Sequence, residues 1–163
     1  FRSVIHNAAR EPEIADLASL INKMGGRVYG AGESTVTVEG VERLHGCEHT
    51  IIPDRITAAT YMSAVATAGG EIVIKNVIPM HLKPIISVFE QSGCIVDVEK
   101  SNIKIKKKKR LKPVRNVRTM PYPGFPTDMQ PQIATVLALL ELSKFCQKKL
   151  NEAKLEIEKI EID

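Results

Sequence analysis

The chain has 163 residues, 44% of them hydrophobic but only 4% aromatic and none Trp, with a net charge of +4. That length allows one domain with a real core or parts of two, and the core must come from Ile, Val, Leu and Ala. No apolar run approaches the roughly 18 residues that a membrane span needs, and residues 1–10 lack the regions of a signal peptide. Three widely spaced cysteines, Cys47, Cys94 and Cys146, fit neither a disulfide framework nor a zinc pattern. A reducing, cytoplasmic setting with no metal and no cofactor is therefore expected. The chain opens without Met, as though its start lay upstream.

Ile14, Leu17, Ala18, Leu20, Ile21 and Met24 recur at helical spacing, and Pro12 suits the first turn of that helix. Gly26 stands where the helix must stop, a usual place for positive φ. Two short strands follow, 27–29 and 35–39, joined through Gly30, Gly32 and Ser34. The lead-in Thr50-Ile51-Ile52-Pro53-Asp54-Arg55 opens a helix over 56–68, Gly69-Gly70 ends it, and 71–76 reads as a strand. Leu82, Ile85, Ile86, Val88 and Phe89 give the next helix, with Pro84 in its first turn and Gly93 at its stop. Strands 95–98 and 103–105 then form a hairpin around Lys100, Ser101 and Asn102.

A shift of 67 lays residues 21–28 over 88–95 without a gap, and also Val36 over Ile103, Val38 over Ile105 and Arg43 over Arg110. A fixed period of this kind marks a duplicated supersecondary unit. The unit reads strand, helix, strand, helix, strand, strand. The chain holds the end of one unit, a complete one and the start of another, and looks cut from something longer.

Lys104, Lys106, Lys107, Lys108, Lys109, Arg110 and Lys112 crowd into one stretch that accounts for the whole charge excess. Such a block can bind a polyanion or serve as a solvated strand end. The absence of neighbouring aromatic residues argues against nucleic acid. Beyond it, Tyr122-Pro123-Gly124-Phe125-Pro126-Thr127-Asp128-Met129-Gln130 is a stiff, proline-held bend at the mouth of an apolar run. Thr127 or Asp128 is placed to cap the helix that starts near Met129 and covers 134–142; on the same mount, the Asp128 carboxylate can equally face a substrate. From Leu142 the charges alternate in sign, giving an amphipathic helix whose last stretch, 155–162, alternates like a strand.

Three segments in order, Asn7-Ala8-Ala9-Arg10-Glu11-Pro12-Glu13-Ile14, Pro53-Asp54-Arg55-Ile56 and Phe125-Pro126-Thr127-Asp128-Met129-Gln130, make residues 4–141 resemble the enolpyruvyl transferases. Within that family, the branch acting on UDP-N-acetylglucosamine fits best. The resemblance implies an α/β fold, an inverse α/β barrel built from βαβαββ units, here an incomplete set. It implies two lobes of three repeats each, with helices inside and sheets outside. Residues 1–52 would end the first lobe and 53–141 begin the second, with 142–163 a charged segment outside the resemblance.

The implied chemistry transfers the enolpyruvyl group of phosphoenolpyruvate to the sugar 3-hydroxyl and releases phosphate, a first step of peptidoglycan synthesis. By the same resemblance Asp128 is the base that removes the hydroxyl proton, Thr127, Arg55 and Asp54 bind substrate, and Glu11 and Glu13 respond to lobe closure. Each has a plain structural reading too: Asp54 as a helix cap, Arg55 as a partner of a nearby carboxylate, and Glu11 and Glu13 as first-turn acids. The family's Lys-Asn pair, its cysteine loop and its phosphate-binding arginines have no match, and none of the three cysteines sits in the corresponding context. Without that clamp and proton donor, the roughly 8 kcal/mol or more of barrier reduction is out of reach, so the chain alone is expected to be inactive. Two alternatives stand beside this: a 3-phosphoshikimate enzyme of the same fold, and a non-catalytic polyanion-binding module. Expected partners are the two small-molecule substrates, with self-association or a complementary fragment besides.

Overall fold

The computed structural model describes residues 1–107, 111, 112, 114 and 116–160, the side chains of 147, 150 and 152–160 excepted. Strand β1 (Arg2–His6), helix α1 (Pro12–Lys23) and strands β2 (Arg27–Tyr29) and β3 (Thr35–Glu39) form the first copy of the duplicated unit. An irregular crossover leads to α2 (Arg55–Ala68). Then come β4 (Glu71–Ile74), α3 (Lys83–Ser92), β5 (Ile95–Glu99), β6 (Asn102–Lys106) and α4 (Gln130–Ile160). Short 3-10 turns at Pro79–Leu82 and Thr127–Met129 lead into α3 and α4.

Both sheets are three-stranded and antiparallel, in the orders β1-β3-β2 and β4-β6-β5. The duplication is therefore real in three dimensions, with β1 the counterpart of β4. The sequence reading did not anticipate β1, because all five of its residues are exposed and carry no inward–outward alternation.

The copies are one residue out of step over part of their length. Ile95 faces Lys106, so a strict shift would put Val28 opposite Glu39, yet Arg27 stands there. The left-handed residue that ends α1 is likewise Gly25 (φ 90°), not Gly26, and it is the counterpart of Gly93 (φ 95°). Gly26 answers a different demand: a Cβ there would lie 2.5 Å from Ile21 Cγ2 and 2.8 Å from its carbonyl oxygen. The longer first hairpin turn absorbs the extra residue.

The core lies in the second half. Ile103 and Ile105 of β6 are fully buried and point inward, while the alternate residues Lys104 and Lys106 point out, the period-two pattern of a half-covered sheet. Over that face lie α2 and α3, and α4 packs against α2, with Met62, Phe89 and Val136 among the buried side chains of the three helices. Ala58, Ala59 and Ala66 on α2 leave room for α3 and α4 to approach. Each fully buried large apolar side chain contributes about 1.5–3 kcal/mol. Around the first sheet the buried apolar residues among those described are Pro12, Ala18 and Val36, while Val4, Ile5, Leu17 and Tyr29 are about half exposed.

Helix α4 is far longer than 134–142 and runs through Ile160, which overturns the strand pattern read in 155–162. The stretch after Pro131 contains no Gly or Pro to stop it, and its Lys and Glu residues recur at helix-supporting spacings. Residues 161–163 lie outside the described residues.

Much of the basic cluster is engaged within the fold. Glu71 accepts from Lys104 Nζ at 2.7 Å and Lys106 Nζ at 2.9 Å, and these two bonds hold its carboxyl down to about 2. Lys107 Nζ donates to the Thr67 carbonyl in the last turn of α2 at 2.7 Å. Lys108, Lys109 and Arg110 lie outside the described residues.

Gly93 ends α3 in the left-handed region (φ 95°, ψ 14°), where a Cβ meets nothing closer than 3.9 Å. Gly93→Ala should therefore cost about 1–2 kcal/mol through backbone strain alone. Gly46→Ala, in open space without positive φ, should be near neutral, and chemical denaturation of the two variants checks the difference.

Candidate functional site

Asp54 accepts from the backbone N–H of Ile56 at 2.8 Å and of Thr57 at 3.2 Å, and from the Thr57 hydroxyl at 2.6 Å. It is the N-cap of α2, as its plain structural reading held. The Thr57 hydroxyl bond, then the two amide bonds, outweigh burial and hold its carboxyl below the usual aspartate value.

Arg55 follows at the first helical position and is 6% exposed. Its Nη2 donates to Glu13 Oε1 at 2.9 Å and its Nε reaches Oε2 at 3.4 Å. The fork spans the crossover, from the first turn of α1 to the first turn of α2. Partial burial pushes the Glu13 carboxyl up, but the Arg55 bond and charge bring it below the ordinary value. The guanidinium also lies 5.9 Å from the centre of the Tyr122 ring, within cation–π range. On that ring's other contact, His81 packs edge-on with centroids 6.5 Å apart. Burial, then the nearby Arg55 charge, lowers the His81 pKa and favours the neutral ring.

The proline bend closes on itself. Met120 N–H donates to the Phe125 carbonyl at 2.9 Å and Gly124 N–H to the Pro121 carbonyl at 2.8 Å. Phe125 and Met129 anchor the bend in the core. Thr127 and Asp128 stand between these anchors on the 3-10 turn, exposed. The expectation that one of them caps α4 fails: both lie inside the 3-10 turn that leads into α4, that turn's own N-cap is Pro126 without a side-chain cap bond, and neither side chain bonds to the start of α4 among the described residues. Among the described residues neither side chain has a hydrogen-bond partner, so the Asp128 carboxylate keeps its lone pairs for a ligand.

Glu11, Arg55, Tyr122, Thr127 and Asp128 line one cavity of about 310 Å³. A second cavity of about 230 Å³ lies behind Arg55, against Glu13, Asp16, Asp54 and His81. Arg55 is thus the wall between the two. Glu11 Oε2 is buried without a partner, an unsatisfied acceptor in the larger cavity. The structure therefore brings Asp128, Thr127, Arg55 and Glu11 together, and sets Asp54 and Glu13 on the far side of the Arg55 wall.

The sequence reading did not single out His81, Tyr122 or the His49–Asp16 pair. The crossover is pinned to α1 by His49 Nε2 against Asp16 Oδ1 at 3.0 Å and by His45 N–H to the Met24 carbonyl at 2.9 Å. No local pattern flags such partners, which are remote in sequence; only the Tyr122 position inside the proline motif gave a hint. Among the described residues no group of His, Cys, Asp and Glu converges as a metal site, and no helix is long and apolar enough to cross a membrane.

A family model for EPSP synthase (3-phosphoshikimate 1-carboxyvinyltransferase) matches residues 2–154. The chain belongs to that family. It is 49% identical over 140 residues to a UDP-N-acetylglucosamine 1-carboxyvinyltransferase of Fervidobacterium nodosum, covering 86% of this chain and 33% of the relative. The likeness to one of Kosmotoga olearia is 43% over 151 residues, covering 93% and 36%. The chain thus spans about a third of the length of these relatives. Among solved structures, the enolpyruvyl transferase NikO from Streptomyces tendae superposes with a TM-score of 0.67 at 25% identity, over 85% of this chain and 33% of NikO. Carboxyvinyl transfer is the chemistry of the family, and an incomplete inverse α/β barrel is the fold.

Glu13 titrates below its ordinary value of 4.5, so its pairing stabilises the fold above that value and is lost as pH falls through the lower folded value. Glu13→Gln should cost about 1–2 kcal/mol near neutral pH, less than a fully buried pair because Glu13 is half exposed. The difference from wild type should fade as the pH is taken well below 4.5, through the lowered folded value. Urea denaturation at the two pH values measures it.

Proposed function

We propose that this chain is part of an enzyme that transfers the enolpyruvyl group of phosphoenolpyruvate to the 3-hydroxyl of UDP-N-acetylglucosamine, a step of peptidoglycan synthesis in the cytoplasm. The observation that carries the reading is the Asp128 carboxylate, exposed and without a hydrogen-bond partner, on a rigid bend in a cavity shared with Arg55 and Glu11. The names of the relatives support UDP-N-acetylglucosamine as the acceptor of a carboxyvinyl group.

In this reading Asp128 takes the proton of the sugar hydroxyl as it attacks C2 of phosphoenolpyruvate. An acid supplied from outside this chain protonates C3, and loss of a proton from C3 then re-forms the double bond as the C2–O bond to phosphate breaks. Thr127 donates to the sugar, and Arg55 offers its positive charge to a phosphate. Glu11 accepts from a substrate N–H or O–H, or from Arg55 when that side chain turns. Asp54 acts on substrate only through Arg55, since its own oxygens already accept three bonds. Glu13 holds Arg55 until the lobes close. Residues 1–52 end one lobe and 53–141 begin the next, the crossover serving as the hinge. Three free cysteines agree with a reducing setting. The edges left open in both three-stranded sheets favour a complementary length of chain, or a second copy, as partner.

The 3-phosphoshikimate alternative draws on the family model's own description, whereas the relatives with the higher identities carry the sugar-nucleotide name. A chimera decides between them: residues 1–141 replace the corresponding third of the Fervidobacterium nodosum protein, and phosphate release from phosphoenolpyruvate is followed. Release should require UDP-N-acetylglucosamine and not shikimate 3-phosphate. Asp128→Asn should lower kcat by about 10²–10⁴-fold with little change in KM. A folded chimera without activity, or one indifferent to Asp128→Asn, would sink the assignment; the isolated 163 residues should release no phosphate.

A further inference from the structure

We infer that Tyr122 is a positioning residue for Arg55: its ring holds the guanidinium so that the N–H groups left over from the Glu13 fork meet a substrate phosphate. This rests on the proposed reaction, which puts a phosphate beside Arg55, and names the group that aims the charge.

A guanidinium carries five N–H groups in one plane. The fork to Glu13 uses one on Nε and one on Nη2, and the rest have no hydrogen-bond partner among the described residues. Two bonds to one carboxylate tether the edge of the plane but leave it free to swing about that edge. A contact on its face removes the freedom. Tyr122 supplies one, with the Arg55 Cζ 5.9 Å from the ring centre. An aromatic group suits this place chemically. A carbonyl or a second carboxylate would accept the spare N–H groups and consume them, whereas a ring face attracts the cation without taking a donor. Arg55 is thereby held and still has donors to offer. It is buried and lines both cavities, so a ligand in one of them is what those donors can reach.

Tyr122 is itself held from two sides. It lies inside the proline bend, which the Met120–Phe125 and Gly124–Pro121 backbone bonds close. His81 packs against it with the ring planes at 81°. The contacts with Arg55 and His81 are made by the ring, so Phe should serve in its place. The same bend carries Thr127 and Asp128 into the larger cavity. One rigid segment therefore places the carboxylate and, through the ring, sets the direction of the cation.

Fluorine drains charge from a ring face while nearly keeping its shape, which separates attraction for a cation from the filling of space. In the 163-residue chain, Tyr122→Phe should leave urea unfolding close to wild type. Tyr122→trifluorophenylalanine should then shift the equilibrium toward the unfolded state by about two- to fivefold. It should add nothing once Arg55→Met has removed the cation. In the chimera described above, calorimetry with phosphoenolpyruvate and separately with UDP-N-acetylglucosamine reads the aim of Arg55. Tyr122→Leu should weaken, by about tenfold, the substrate whose phosphate Arg55 meets, and leave the other unchanged; Tyr122→Phe should keep both. A fluorinated ring that acts equally with and without Arg55 would overturn the inference. So would a chimera whose affinity for both substrates ignores loss of the ring, even where phosphate release persists. Ring-dependent binding without phosphate release would uphold the positioning role and take down the reaction instead.

Discussion

The fork from Arg55 to Glu13 is the constraint on which the arrangement depends. It is the direct side-chain ion pair between the first helix of the thin half and the first helix of the well-packed half. A guanidinium that is 6% exposed needs a partner of opposite charge, since an unpaired buried cation is far costlier than a paired one. Glu13 supplies the counter-charge and Tyr122 supplies an aromatic face. Because Arg55 is also the first residue after the Asp54 cap, the direction of α2 fixes where its side chain can reach. Capping, ion pairing and the wall between two cavities thus follow from two adjacent residues.

Most of the fold was legible because it rests on short-range rules. Helical spacing behind Pro12 and Pro84, the Gly93 stop and the alternation in β6 all report on neighbours in sequence. The misreadings share a cause, which is that the deciding contact is not local. β1 has no buried face and is a strand only because β3 pairs with it. Gly26 was mistaken for the left-handed residue because close contact with Ile21 and positive φ both select glycine. In 155–162 the alternation of apolar and charged residues competed with helix continuation, and a helix already under way with no breaker prevailed.

The candidate site was legible to the extent that its residues sit in dense local motifs. Asp54, Arg55, Thr127 and Asp128 each follow a proline closely, and the resemblance to a known family drew attention to them. Their grouping was not legible. That Glu11 shares a cavity with Asp128 while Glu13, two residues on, faces the other side of Arg55 depends on the first turn of α1 rotating successive acids apart. His81 and His49 carry no motif at all. They matter through Tyr122, 41 residues from His81, and Asp16, 33 residues from His49.

The two proline-led aspartates show how one local pattern yields opposite chemistry. Asp54 lies where α2 begins, and its oxygens accept two amides and a hydroxyl. Those bonds favour the ionised form and hold its proton affinity low, which makes it a sound cap and a poor base. Asp128 instead lies inside a 3-10 turn whose own N-cap is Pro126, a residue without a side-chain acceptor. Its carboxylate is therefore turned out of the helix-capping role and into a cavity. A carboxylate already committed to backbone amides would have to give them up to take a proton from a substrate, whereas one with open lone pairs does not. The insertion of a single 3-10 turn between proline and helix is what separates the acid that caps its helix from the one that lines a cavity.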